Sequence, residues 1–148
     1  MAQIRKWRAV VDTNALFQMA AASERSPLFV AWQAKKFNLV LSETLLDEFM
    51  RISVKPRLKR YLPTSRAVRF IALVRAGAMF VEPVAETDTP HCRDPKDDVV
   101  IATAIAARAD FIVTNDGDLH DSPLATRLRD EYNIHVAWPG EFVEAIKS

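Results

Sequence analysis

The chain has 148 residues and a mass of 16.7 kDa, the length of one ordinary domain, and its 49% hydrophobic and 26% charged residues read as globular, not disordered. The formal charge of +1 predicts no partner by itself. No apolar run reaches the ~18–20 residues of a membrane span, three glycines leave no Gly-rich phosphate loop, and three scattered histidines with one cysteine give no zinc set.

In chain order, Arg8 to Asp12 is a short apolar strand ending in a carboxylate, and Asn14 to Ala22 reads as helix. Arg5, Lys6 and Arg8 precede only Ala9, Val10 and Val11, which is too short for a secretion signal. Ser26 and Pro27 mark a helix start, Asn38 to Leu41 a second strand, and Ser42 caps a helix to about Ser53. Pro56 and Pro63 punctuate a helical region whose second part, Thr64 to Ala76, is stopped by Gly77. Ala78 to Val81 is a third strand, and a polar loop runs through Asp97. Asp98 to Arg108 is helix, Phe111 to Thr114 strand, Pro123 to Asp130 helix, Ile134 to Ala137 strand and Pro139 to Ile146 helix. Short strands alternating with helices predict an α/β fold, a short central parallel sheet flanked by helices, in one domain spanning 1–148.

In such sheets ligands bind beyond the carboxyl ends of the strands. Asp12 closes the first strand, and Asp116 and Asp118 follow the strand at Phe111 to Thr114. Asp98 opens a helix whose next nine residues are apolar except Thr103, so it stands at the end of a buried rod. After Ser42, Leu45, Leu46, Phe49 and Ile52 form one stripe at ~100° per residue; Glu43 and Asp47 fall opposite, and Glu48 borders the stripe. Each acid also has a structural use: Asp98 as a helix cap, Asp116-Gly117-Asp118 as a tight turn, Glu48 in a surface pair with Arg51 or Arg69. If they converge, like charges at ~4 Å repel by about 4 kcal/mol at an effective dielectric of 20, so they must protonate or hold a cation. Oxygen ligands without His or Cys suit Mg²⁺ or Mn²⁺, which activate water and steady both oxygens of a phosphodiester exchange.

Charge is uneven along the chain. Eight basic residues and no acid lie from Arg51 to Arg75, whereas six acids face Arg93 and Lys96 from Glu82 to Asp98. Arg51, Lys55, Arg57, Lys59, Arg60, Arg66 and Arg69 are therefore candidates for positioning an RNA backbone, the plain alternative being a solvated helix surface. Cys92 has no arguable nucleophile partners and fits a reducing, cytoplasmic setting. Trp7, Trp32 and Trp138 read as core or interface aromatics, not as base-stacking platforms.

The segments Val10-Val11-Asp12-Thr13-Asn14, Leu41-Ser42-Glu43-Thr44-Leu45-Leu46-Asp47-Glu48-Phe49, Arg93-Asp94-Pro95-Lys96-Asp97-Asp98-Val99-Val100-Ile101-Ala102 and Ala109-Asp110-Phe111-Ile112-Val113-Thr114-Asn115-Asp116-Gly117-Asp118-Leu119 stand in an order that resembles the PIN domain, the metal-dependent ribonuclease fold of VapC-like toxins in prokaryotic toxin–antitoxin systems. Pro139-Gly140-Glu141-Phe142 is similar to the family's closing segment. The resemblance places metal-holding, catalytic acids on Asp12, Glu48, Asp98 and Asp116, with Asp118 assisting. Thr13, Asn14, Ser42 and Thr114 match supporting positions, as does Asp94; Asn115 stands where a glycine is more usual. It further implies Mg²⁺ or Mn²⁺, RNA cleavage, a homodimer and a cognate antitoxin, with no membrane partner. The rival readings are a non-catalytic RNA- or protein-binding module and a phosphoaspartate phosphatase or receiver-like enzyme with Asp12 as nucleophile, although no strand end offers the Lys such enzymes need.

Overall fold

The five strands β1 (Arg8–Val11), β2 (Asn38–Leu41), β3 (Met79–Phe80), β4 (Phe111–Val113) and β5 (His135–Ala137) form a parallel sheet in the order β3-β2-β1-β4-β5. The computed structural model describes residues 6–147, without the side chain of Asp88; Arg5 and the place of Asp88 in the acidic run lie outside the described residues. Ala9, Val10, Val11, Leu39, Val40, Leu41, Ile112 and Val113 are fully buried, as expected where helices cover both faces of a parallel sheet.

Among the described residues, seven α-helices flank the sheet: α1 (Thr13–Ala22), α2 (Pro27–Gln33), α3 (Glu43–Ser53), α4 (Thr64–Gly77), α5 (Asp98–Ala107), α6 (Ser122–Tyr132) and α7 (Pro139–Ala145). Right-handed crossovers predict α1 to α4 on one face and α5 and α6 on the other. The packing agrees, since α1 meets α2, α3 and α4, while α5 lies along β1, β2 and β4. Helix starts follow local chemistry. The hydroxyls of Ser26 and Ser42 accept from the backbone N–H of Phe29 and Leu45, each supplying a partner that a first helical turn lacks.

The elements follow the sequence pattern with differences at their ends. Gly77 is the last residue of α4 and not a left-handed stop: no described glycine has positive φ, and the helix ends because Ala78 is extended. A Cβ at Gly77 would meet the Trp32 ring of helix α2 at 3.4 Å, an ordinary van der Waals contact. Arg108 and Asn133 supply the left-handed ends of α5 and α6 instead. The polar loop before α5 carries two short 3₁₀ turns, Glu86–Asp88 and Pro95–Asp97. No helix among the described residues is long and apolar enough to cross a membrane.

Candidate metal centre

The sheet order reverses between β1 and β4, and the crevice outside their carboxyl ends is where such a fold opens a site. Asp12, directly after β1, is 5% exposed and caps α1. Its Oδ1 accepts from the Thr13 N–H at 2.6 Å and its Oδ2 from the Thr114 hydroxyl at 2.7 Å. Thr114, fully buried after β4, also accepts the Asp116 N–H at 2.9 Å, and Asp116 Oδ1 accepts the Asp118 N–H at 2.9 Å. One buried hydroxyl therefore ties the acids of two strand ends together, and the turn reading of Asp116-Gly117-Asp118 holds alongside.

Asp12, Asp97 and Asp116 each bring a carboxylate oxygen into one group whose atoms all lie within 4.8 Å of one another. Asp97 stands at the N-cap of α5 and makes no capping hydrogen bond, so its carboxylate is free to face the group. Two helix N-termini, of α1 and α5, thus point their positive ends at this negative cluster, a favourable contact of about 0.3–1 kcal/mol each. Burial, then hydrogen bonding to the Asp116 carboxyl and the charges of Asp116, Asp12 and Asp94, push Asp97 up to about 8 from an ordinary 3.8. Without a cation the cluster holds a proton instead.

Asp98, the acid that the resemblance selected, is not one of this group of three. It is 8% exposed, its Oδ1 accepts the Cys92 N–H at 2.6 Å and its Oδ2 lies 3.0 Å from His91 Nδ1. Its carboxylate fastens the loop before α5, and the acid brought to the cluster is its neighbour Asp97. The sequence reading missed Asp97 except as one acid in a run. Helix α5 is apolar nearly all round, so periodicity carries no phase to say which of two adjacent acids turns toward the strand ends.

Glu48 is half-buried on α3, with Glu43 and Asp47 exposed, as the angular argument predicts. Burial raises its pKa first, then the charge of Asp12; Arg51 and Lys96 lower it and Asp94 raises it. Glu48 therefore borders the cluster electrically without joining the group of three. Asp118 likewise adjoins it through the Asp116 turn. Ser42 is fully buried, caps α3 and meets the Thr103 hydroxyl of α5 at 3.2 Å. Asp94 holds the Lys96 N–H at 3.0 Å, and Asn14 is exposed. Asn115, in place of the usual glycine, has no positive φ and donates to Gln18 on α1 at 3.1 Å.

The basic stretch is not gathered at the acids. Arg51 weighs on Glu48, as does Lys96, which the sequence reading had not singled out for RNA. Arg66 donates to the Ala21 carbonyl at 2.8 Å, and with Arg69 and Arg25 it lines a groove of about 580 Å³ at the far end of α1. That end lies roughly 15 Å from Asp12 by helical rise. Lys59 donates to Thr64, and the Arg60 guanidinium sits 5.1 Å from the Tyr61 ring centre; Lys55 and Arg57 are exposed. Cys92 is buried, and its thiol is pushed up to about 11, chiefly by burial, which keeps it protonated and a poor nucleophile.

These features define an α/β fold with a carboxylate cluster able to hold a divalent metal at its switch point. A sequence model of the PIN domain matches residues 8–118, three quarters of the chain and all three clustered acids, and the chain belongs to the PIN domain family, a nuclease fold. No curated protein matches the chain.

Proposed function

We propose that the protein is a divalent-metal-dependent endoribonuclease and the toxin of a toxin–antitoxin pair. The observation that carries this reading is the convergence of Asp12, Asp97 and Asp116 at the sheet's switch point, with Asp97 held above its ordinary pKa first by burial and then by its acidic neighbours. The donor set is oxygen alone, which fits Mg²⁺ or Mn²⁺ and not zinc. Asp12, Asp97 and Asp116 would hold the metal, with Glu48 and Asp118 beside it. When bound, the ion supplies a more acidic water and counter-charge for the phosphodiester.

The chain's own residues set the stage for that chemistry. The Thr13 N–H and the Thr114 hydroxyl fix the Asp12 carboxylate in one orientation, and the Asp118 N–H does the same for Asp116. Glu48, half-buried beside Asp12 and with its pKa raised by that burial first and then by the Asp12 charge, holds its proton more readily than an exposed glutamate and is placed to exchange it at this edge. Lys96 and Arg51 are the cations closest in effect to this edge and would steady the phosphate backbone on either side.

The same reading puts the protein in the cytoplasm, as a homodimer acting on RNA and restrained by a cognate antitoxin. The resemblance to VapC-like toxins supports these points. Cleavage of single-stranded RNA with Mg²⁺ or Mn²⁺ by the wild type, and its loss in Asp12→Asn, tests the enzyme. Equal cleavage by both removes the proposal, and RNA binding indifferent to a chelator, with no cleavage, favours a non-catalytic module. Co-purification of a small neighbouring gene product that blocks cleavage tests the toxin role.

A further inference from the structure

Trp138 stands beyond the metal centre on the same edge of the sheet. Val11 is in register with Val113, and Val113 with Ala137. The ladder continues one step, with the Asp12 N–H on the Val113 carbonyl and the Thr114 N–H on the Ala137 carbonyl. Asp12, Thr114 and Trp138 are therefore level at the ends of three adjacent strands, and two strand spacings put Trp138 about 10 Å from Asp12. Trp138 is 44% exposed, against 6% for Trp32, so of the sequence reading as a core or interface aromatic, and not a base-stacking platform, the core alternative does not hold for it.

Its ring is held flat by His120. The two rings stack with centres 3.6 Å apart and planes 7° from parallel. His120 Nε2 donates to the Thr114 carbonyl at 2.9 Å, and the Thr114 hydroxyl donates to Asp12. A continuous set of contacts thus runs from the Asp12 carboxylate through Thr114 and His120 to an indole that is stacked on one face by the imidazole and is 44% exposed. Beside the stack lies a polar cavity of about 280 Å³, lined by His120, Ser122, Thr126 and Arg129 among others.

We propose that the His120–Trp138 stack is a nucleobase subsite: one base of a single-stranded RNA, next to the phosphate at the acid cluster, stacks on the exposed indole. This rests on the ribonuclease reading for its neighbour, and it names single-stranded RNA as the substrate form. Proteins that hold single strands use aromatic faces because every base has a π-face to stack. A flat, pre-stacked indole loses little freedom on receiving a third ring. The hydroxyls of Ser122 and Thr126 line the adjoining cavity, as does Arg129, whose Nε donates to Asp130 at 3.3 Å, and a purely apolar docking surface would not present such groups.

The test uses the full chain, short homopolymeric single-stranded RNAs, and the same RNAs with one abasic nucleotide moved along the strand. Binding is read in chelator and cleavage in Mg²⁺ or Mn²⁺. Trp138→Leu is expected to weaken binding roughly 10-fold, with Trp138→Phe close to wild type. An abasic nucleotide at one position should weaken the wild type and leave Trp138→Leu unaffected. In a Trp7→Phe background, RNA should quench the indole fluorescence, a readout that does not depend on the Leu variant folding. Trp138→Leu binding as wild type does, or an abasic effect equal in both proteins at every position, or no quenching, overturns the subsite. RNA cleaved without regard to Trp138 sinks this inference alone; RNA held through Trp138 but never cleaved sinks the ribonuclease reading alone. Single-stranded RNA neither held nor cleaved sinks both.

Discussion

Three carboxylates crowd within one 4.8 Å group at the carboxyl end of the sheet, while seven basic residues from Arg51 to Arg69 spread over the mostly exposed surface of α3, α4 and the turn between them. Asp12 and Asp116 are fixed by backbone and hydroxyl donors just beyond two adjacent strand ends, so these two cannot move apart when they repel, and Asp97 is carried to them by the start of α5. The basic side chains are long, solvated and screened, and can spread without cost. Enforced proximity marks the acidic edge as a site; charge of one sign along a helix does not. The same contrast separates two adjacent acids, Asp97 in the cluster and Asp98 on the loop.

That last contrast gives the largest expected effect. If Asp97 holds the metal, Asp97→Asn lowers RNA cleavage by more than the ~10–100-fold typical of outer-shell partners, with little loss of folding. Single-turnover kinetics beside a thermal melt check this; an Asp97→Asn chain as active as wild type would move the site elsewhere. Asp98→Ala is expected to act the other way round. It leaves the buried Cys92 N–H without a partner and costs about 1–3 kcal/mol of stability, read from denaturant unfolding. A variant that loses cleavage but keeps full stability would place Asp98 with the acids after all.

The pH dependence sharpens the comparison further. The folded, metal-free chain keeps a proton on Asp97 that the unfolded chain has already released between 3.8 and about 8. Stability in chelator therefore falls as pH rises through that window. Added Mg²⁺ or Mn²⁺ favours the ionised form, so its stabilising effect grows over the same range, and Asp97→Asn flattens both trends. Melting curves across pH with and without metal read this directly. Glu48→Gln should reduce cleavage less than Asp97→Asn does, because Glu48 borders the group without joining it.

The smallest effect belongs to the basic surface. Lys96→Ala and Arg51→Ala should each reduce the slope of RNA binding against salt by about 1, whereas Arg66→Ala, roughly 15 Å from Asp12, changes it less. Equal slopes for all three would mean that RNA follows α4 as closely as the acid edge.

Strand ends, caps and turns were legible because they are local. Asp12 follows a run of Val and Ala, Ser42 and Ser26 precede helices, and an alternation of short strands with helices admits few sheets. Glu48 could be placed because α3 has one apolar stripe to measure angles from. Helix α5 has none, so the choice between Asp97 and Asp98 could not be read from spacing.

The order of residues by itself determined the elements, the α/β class and the acids at two strand ends, since propensity, capping and burial act over a few neighbouring positions. Only the tertiary structure decided that Asp97 and not Asp98 joins Asp12 and Asp116, that Arg66 of the basic stretch lies at the far end of α1 while Arg51 stays by Glu48, and that Trp138 is exposed and stacked on His120. Those choices depend on how each helix is rotated and docked against the sheet, and that rotation is set by the packing of every element at once.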